Sequence, residues 1–239
     1  MKREQLVGAG AALVLGSAFL GCSSSRAAPP SPVEERPATE SLEWSPASGA
    51  AGDEKVFSEE AQEALSLGTA KFTALKDPNG NVVARVAFVA RSEHSTRVEV
   101  FATLPAALAG YHGFHIHAND NPANGVGCIA DPAQPANTHF VSADGHYNPG
   151  NSVHGAHAGD MPSLFIDKDG KGSMVFTLDR FGLAELTRRA VIIHLGADNF
   201  GNVPTGAAVN QYTPNGPDAV TLTQNTGNAG NRIACGVIP

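Results

Sequence analysis

The stretch Gly113-Phe114-His115-Ile116-His117 alternates apolar and histidine side chains, which indicates a β-strand with a metal-binding face. Successive side chains of a strand point to opposite faces, so His115 and His117 share one face and Phe114 and Ile116 share the other. Two imidazoles on one face can bind one ion while the opposite face packs in an apolar core. The alternative is a pair of half-exposed histidines satisfied by hydrogen bonds. The metal-site interpretation therefore requires further ligands elsewhere in the chain.

The residues around this stretch have the pattern of an antiparallel β protein. Asn79-Gly80 lies between two alternating runs and predicts a hairpin. We predict strands at residues 70–75, 82–90, 97–104, 163–166, 172–178 and 189–195. In the third run Val98, Val100 and Ala102 alternate with Arg97, Glu99 and Phe101, which predicts one buried and one wet face. From residue 69 onward only residues 183–186 suggest a turn of helix, so this part of the chain is expected to form an all-β sandwich or barrel.

Two long segments, residues 119–162 and 198–230, interrupt the succession of strands. Loops longer than about 15 residues are usually functional or disordered. These two hold most of the remaining His, Asp and Gly residues, so we expect the chemistry to lie where they converge.

The charge of the chain argues against a nucleic-acid partner. The 239 residues carry a formal net charge of −7, and no run of basic residues is present to neutralise phosphates.

The N-terminal region predicts export and a lipid anchor. Residues 1–22 have a cationic start and an apolar run too short to span a bilayer, as in a secretory signal. Leu20-Gly21-Cys22 resembles the lipobox of bacterial lipoproteins, which implies cleavage before Cys22 and lipidation of its sulfur. A plain secretory signal with an incidental cysteine is the alternative. We expect a protein of the cell envelope or periplasm, held to a membrane through Cys22.

The composition divides the rest of the chain into a tether and a domain. Residues 23–67 are rich in Ser, Pro, Ala and Glu and predict a disordered tether, with a short helix around residues 59–65. Residues 68–239 form the predicted β domain. A lipidated Cys22 leaves two cysteines in an oxidising compartment, and we therefore predict a Cys128–Cys235 disulfide.

Five motifs in order carry a family resemblance over about residues 68–239. They are Gly113-Phe114-His115-Ile116-His117, Gly145-His146-Tyr147-Asn148-Pro149, His157-Ala158-Gly159-Asp160, the run from Ile193 to Asp198 and the run from Gly227 to Ile238. Together they resemble the copper-zinc superoxide dismutases. The resemblance implies a Greek-key β-sandwich or flattened eight-stranded barrel with two long functional loops, and it includes the Cys128–Cys235 disulfide.

The resemblance also implies a ligand set. Copper is expected at His115, His117, His146 and His194, and zinc at His146, His154, His157 and Asp160, with His146 as the bridge. Asp198 corresponds to a carboxylate that links a copper histidine to a zinc histidine. Arg232 corresponds to an arginine beside the open copper face, where it attracts the anionic substrate. Imidazole-only ligation suits Cu(II), whereas three imidazoles and a carboxylate suit Zn(II).

The implied activity is the disproportionation of superoxide to O₂ and H₂O₂, with Arg232 and His146 as catalytic residues. The alternative is a non-catalytic copper- or zinc-binding lipoprotein of the envelope. The sequence leaves open whether the chain forms a homodimer or stays a tethered monomer.

The sequence departs from the family pattern at two places. Residues 129–145 have the length of an insertion, in which we expect His139 to be a solvated loop residue. His154 and His157 are only three positions apart, which makes the zinc loop shorter than in the family. His112 is expected to be structural, hydrogen-bonded beside the site.

Overall fold

The computed structural model of the chain describes residues 56–199 and 217–239. They contain nine β-strands and two α-helices. The elements are α1 (Glu59–Ser66), β1 (Ala70–Lys76), β2 (Val82–Ser92), β3 (Ser95–Thr103), β4 (Gly110–His112), β5 (Phe114–His117), β6 (Leu164–Ile166), β7 (Lys171–Leu178), β8 (Ala190–His194), α2 (Pro217–Thr226) and β9 (Arg232–Val237).

The strands form a curled antiparallel sheet with a small second sheet. Seven strands lie in the order β5-β8-β9-β1-β2-β3-β7, and β4 pairs separately with β6. Only Gly113 separates β4 from β5, so the two are one strand that changes partner, and the nine segments correspond to eight strands. Non-consecutive neighbours such as β5 and β8 give the sheet its crossover connections. The predicted all-β sandwich or barrel is confirmed.

The main core lies on the concave side of the sheet and includes the apolar face of β5. Phe114 and Ile116 are fully buried there among residues of β2, β3, β8 and β9. Large buried side chains of this core include Leu75, Phe88, Leu164, Ile166, Phe181, Leu186 and Ile193. The alternation in β5 therefore separates an apolar core face from a histidine face, as predicted.

The outer face of β3 is covered, and the prediction of a wet face was wrong. Glu99 is only 1% exposed, and its carboxylate accepts hydrogen bonds from the Ser58 amide and hydroxyl at 3.0 and 2.6 Å. Phe101 packs edge-on against Phe57 with ring centroids 5.8 Å apart. The sequence of β3 alone does not reveal this cover, because it comes from a segment more than 30 residues earlier.

The segment that covers this face, residues 56–67, was assigned to the tether by the sequence analysis but is folded. Ser58 caps α1, since its hydroxyl accepts from the Ala61 amide at 3.2 Å. Ala61 and Ala64 pack with Phe57 against Ala87 and Val89 of β2. The predicted short helix is thus part of the domain. The signal segment, Cys22 and residues 23–55 lie outside the described residues.

The second long loop contains a helix that the sequence analysis did not predict. Helix α2 begins at Pro217, a residue favoured in the first helical turn. It ends before Gly227, which adopts a φ of +63°. Its sequence is rich in Thr and only weakly amphipathic, so its apolar residues show no clear helical period. Among the described residues no helix is long and apolar enough to cross a membrane.

The disulfide joins the first long loop to the last strand. Cys128 and Cys235 are bonded, with Cα atoms 5.5 Å apart, and they are 107 positions apart in the sequence. The predicted pairing is confirmed. It anchors the loop that follows β5 to β9, beside the strand that carries His194.

Candidate metal centre

Two neighbouring strands place three histidines at one end of the sheet. His115 and His117 lie on β5, and His194 is the last residue of β8. The strands pair antiparallel, with His115 opposite Ile192 and His117 opposite Ala190. All three histidine side chains are buried. Strand register therefore brings these imidazoles together without a contribution from any loop.

Backbone carbonyls orient two of these rings. His117 Nδ1 lies 2.8 Å from the Asp144 carbonyl oxygen, and His194 Nδ1 lies 3.1 Å from that of Gly230. Each Nδ1 donates its proton to the carbonyl, which leaves Nε2 as the lone-pair atom. The two Nε2 atoms approach to 3.3 Å. Two lone pairs that face each other in a buried site fit a shared cation.

His146 stands between this group and the residues of the next loop. It forms an isolated β-bridge with His117. Its Nδ1 lies 2.8 Å from Asp160 Oδ1. Its Nε2 and the Nδ1 of His115 are buried and have no hydrogen-bond partner among the described residues. Buried ring nitrogens of this kind are costly unless an ion engages them, so these residues fit a metal.

Two overlapping groups of ligand atoms result. In each group one donor atom per residue lies within 4.8 Å of all the others. The first group consists of His115, His117, His146 and His194, and the second of His115, His146, His154 and Asp160.

The residues predicted for zinc lie in the short loop after His146. His157 is outside the second group, but its Nδ1 lies 3.2 Å from both His146 Nδ1 and Asp160 Oδ1. His154 Nε2 lies 3.9 Å from the same carboxylate oxygen. The three-residue spacing therefore does not prevent His154 and His157 from approaching one carboxylate.

Asp198 lies behind both groups. Its Oδ1 is 2.9 Å from His115 Nε2 and 3.4 Å from His154 Nε2, and its Oδ2 accepts a hydrogen bond from the Ser163 hydroxyl at 3.0 Å. A Cβ atom at Gly227 would lie 2.5 Å from His154 Cε1 and 2.8 Å from Asp198 Oδ1. Only glycine leaves room for this carboxylate to contact both rings.

Burial determines the protonation of the site. It lowers the pKa of His146 from 6.5 to about 3 and leaves the pKa values of His117 and His194 well below 6.5. Burial acts to raise the pKa of Asp160 and Asp198, but hydrogen bonds and charge interactions with the histidines outweigh it, and both pKa values fall well below 3.8. At neutral pH His117, His146 and His194 are therefore neutral and the two carboxylates are ionised, the forms that bind metals.

Arg232 begins β9 directly opposite His194. Its guanidinium donates to the carbonyls of Phe140 and Asp144, and the Asp144 carbonyl is the one that orients His117. Burial lowers the pKa of Arg232 from 12.5 to about 10, so the group stays cationic at neutral pH. The arginine predicted beside the copper face therefore shares a backbone group with a predicted copper ligand.

Two histidines outside the groups have defined partners. His112 Nδ1 lies 2.7 Å from the His194 carbonyl oxygen and its Nε2 lies 2.7 Å from that of Leu108, which confirms its structural role. His139 is buried, with Nε2 3.1 Å from the Asp131 carbonyl oxygen. The expected solvation of His139 was therefore wrong, because the loop folds back on itself around this ring.

Sequence reasoning missed the backbone carbonyls of Asp144 and Gly230, since a carbonyl leaves no mark in the sequence. It also missed Ser163, which donates to Asp198, and Arg180, which donates to carbonyls of the loop at residues 153–160. The positive φ of Asp144, +66°, has no distinctive sequence signal either.

The fold and the clustered ligands together define an all-β metalloprotein with two overlapping groups of buried ligands. The family model "Copper/zinc superoxide dismutase (SODC)" matches residues 82–238. A Cu-Zn superoxide dismutase of Mycobacterium tuberculosis is 37% identical over 236 residues, covering 94% of this chain and 92% of the relative. One of Brucella abortus is 34% identical over 136 residues, covering 54% and 64%.

A solved structure titled as the Cu/Zn superoxide dismutase from Brucella abortus superimposes with a TM-score of 0.50 and 26% identity. That match covers 71% of this chain and 99% of the other. The chain belongs to the copper/zinc superoxide dismutase family.

Proposed function

We propose that the two ligand groups form the active centre of a superoxide dismutase, with copper at His115, His117, His146 and His194 and zinc at His146, His154, His157 and Asp160. The reaction is the disproportionation of superoxide to O₂ and H₂O₂, and the cofactors are copper and zinc. The observation that carries the assignment is the position of His146. Its Nε2 turns to the first group without a hydrogen-bond partner among the described residues, while its Nδ1 meets Asp160 at 2.8 Å.

Bound copper supplies one-electron redox chemistry, and zinc supplies a fixed positive charge on the shared imidazole. The chain's own contribution begins with ring orientation. The carbonyls of Asp144 and Gly230 hold His117 and His194 with Nε2 toward the copper position. A ligand set that is aligned in advance does not lose affinity to reorganisation.

His146 is the proton-handling residue of the proposal. Burial, together with the neighbouring His115, lowers its pKa to about 3, so Nε2 is unprotonated at neutral pH. With copper bound, Nε2 of this ring would be the atom that holds a proton for the reduced product. Asp160 keeps the other ring nitrogen occupied and the ring in place.

Arg232 attracts and holds the anionic substrate. Its guanidinium remains charged at neutral pH and lies beside the carbonyl that orients His117. A hydrogen bond to a charged group contributes about 1.5–3 kcal/mol, so its loss corresponds to roughly a 10- to 100-fold fall in rate.

The test is superoxide disproportionation by the metal-loaded protein, compared with Arg232→Ala and with Arg188→Ala as a control at an exposed arginine. We expect Arg232→Ala to lower the rate and Arg188→Ala to leave it unchanged. A protein that binds both metals but shows no turnover would instead support the alternative, a non-catalytic metal-binding protein.

We also propose that the chain is exported to the cell envelope and anchored through a lipidated Cys22, with residues 1–22 as signal and 23–55 as tether. The disulfide supports an oxidising compartment, and Leu20-Gly21-Cys22 supports lipidation. Cys22→Ser is expected to move the protein from the membrane to the soluble exported fraction. Unchanged membrane association of this variant would reject the anchor.

A further inference from the structure

The short loop at residues 153–160 is held from two sides. On its inner side, Asp160 Oδ2 accepts hydrogen bonds from the amides of Gly155 and His157 at 2.7 and 3.1 Å. The other carboxylate oxygen faces His146 and His157. The peptide N–H groups of the loop therefore turn inward, toward a residue of the proposed zinc site.

On its outer side, the carbonyls of the same peptide segment turn toward Arg180. Nη1 of this residue lies 3.1 Å from the His157 carbonyl oxygen and 3.4 Å from that of Asp160, and Nη2 lies 3.1 Å from that of Gly155. One guanidinium thus contacts three carbonyls of a six-residue segment. Arg180 itself follows β7 by two residues, so the sheet anchors it.

Backbone hydrogen bonds tie His154 to Gln224 and Gly159 to Ile116 and Tyr147, but few hold the stretch between His154 and Gly159. Within residues 153–160 the backbone hydrogen bonds are Ala156 to Val153 at 3.1 Å and Asp160 to His157 at 3.3 Å. A planar guanidinium with five donors can bind several carbonyls in a fixed geometry, which an ammonium group cannot do.

We infer that Arg180 is a positioning residue for zinc, holding the carbonyls of Gly155, His157 and Asp160 so that the side chains of His157 and Asp160 meet one ion. The inference rests on the zinc site of the proposed function. It explains how a loop with two histidine ligands only three positions apart keeps a binding geometry.

A positioning role of Arg180 and a purely electrostatic effect of its charge predict different changes in zinc affinity. A cation close to the site repels Zn²⁺, so removal of the charge alone would raise zinc affinity. Removal of a group that positions the ligands lowers it. The two effects have opposite signs.

The experiment measures Zn²⁺ affinity by chelator competition in the full chain for wild type, Arg180→Gln, Arg180→Lys and the control Arg188→Gln, an exposed arginine away from the loop. Loss of an outer contact of this kind typically costs about 10-fold in metal affinity. We expect a fall of about 10-fold for Arg180→Gln, a smaller fall for Arg180→Lys, and none for the control. The visible spectrum of Co²⁺ bound in place of zinc should change in the same order.

Unchanged or higher zinc affinity in Arg180→Gln would overturn the inference. If Arg180→Gln does not fold, Arg180→Lys decides, since it keeps the charge and loses the fork; wild-type affinity and Co²⁺ spectrum in that variant would overturn the inference. Failure of the proposed zinc site gives a different result, in which wild type binds no zinc or His154→Ala binds it equally well.

Discussion

The two ligand groups are built on different supports. The histidines assigned to copper alone, His115, His117 and His194, lie on paired strands whose register is set by the apolar core. The residues assigned to zinc alone lie in a loop held by hydrogen bonds from Arg180, and the His154 amide donates to the Gln224 carbonyl of α2 at 2.7 Å. The strands therefore place the three copper histidines, whereas the positions of the zinc residues depend on hydrogen bonds between a loop, Arg180 and α2.

The largest effect is expected for a histidine that lies on the sheet. His117→Ala removes a ring whose Nε2 lies 3.3 Å from that of His194 and whose orientation the Asp144 carbonyl sets. We expect copper content to fall and superoxide disproportionation to drop to the uncatalysed rate. His94→Ala, at an exposed turn, is the control. Turnover that survives in His117→Ala would contradict the copper assignment.

Removal of the disulfide tests whether the region around the proposed copper ligands depends on the loop that follows β5. Cys128→Ser opens a closed loop of 107 positions, and the chain-entropy estimate gives a loss of about 5 kcal/mol in the free energy of unfolding. Urea unfolding of the exported protein measures it. We expect the segment with Phe140 and Asp144, which Arg232 contacts, to exchange amide hydrogens faster. Equal stability of variant and wild type would show that the strands hold this region without the bond.

A smaller effect is expected when a loop ligand is removed. His154→Ala should lower zinc affinity by about 10- to 100-fold, and thermal stability should fall with the zinc content. The dismutase rate should change less, because the four proposed copper ligands remain. Elemental analysis, thermal unfolding and the initial rate of the same preparation check the order of the effects. A dismutase rate that falls by a larger factor than the zinc content would indicate that His154 belongs to the copper ligands instead.

The smallest expected effect is on the pH dependence of the metal-free chain. The folded pKa of His146 is about 3 and its ordinary value is 6.5, so the unfolded chain binds more protons between these values. Stability is therefore complete above pH 6.5 and is lost as the pH falls toward 3. At pH 5.5 the loss from this group is about 1 kcal/mol. Urea unfolding at pH 7.5 and 5.5 measures it, and His146→Gln should reduce the slope by this amount while the contributions of His117 and His194 remain.

The N-terminal residues 56–67 show where local patterns mislead. The alternation of β3 indicates a wet face, and composition assigns these residues to a tether. The structure instead places Phe57 against Phe72 and Phe101 and brings Ser58 to the Glu99 carboxylate. A face becomes buried when a distant segment covers it, and the periodicity of a single strand contains no information about that segment.

The sequence alone determined the elements with strong local signals. Apolar and histidine residues in alternation gave β5 with its two faces, and the turn at Asn79-Gly80 gave the first hairpin. The cysteine count and the five ordered motifs gave the disulfide, the family and a set of ligand residues. These features depend on side-chain chemistry and on spacing of two residues along a strand, both of which are readable from the residues in order.

Only the tertiary structure decided which groups face one another across the site. The carbonyls of Asp144 and Gly230, the contact of Asp198 with two histidines and the three carbonyls around Arg180 join segments that are distant in the sequence. A backbone carbonyl is present at every residue, so its partner cannot be read from residue type. The direction in which it points is set by how the loops pack on the sheet.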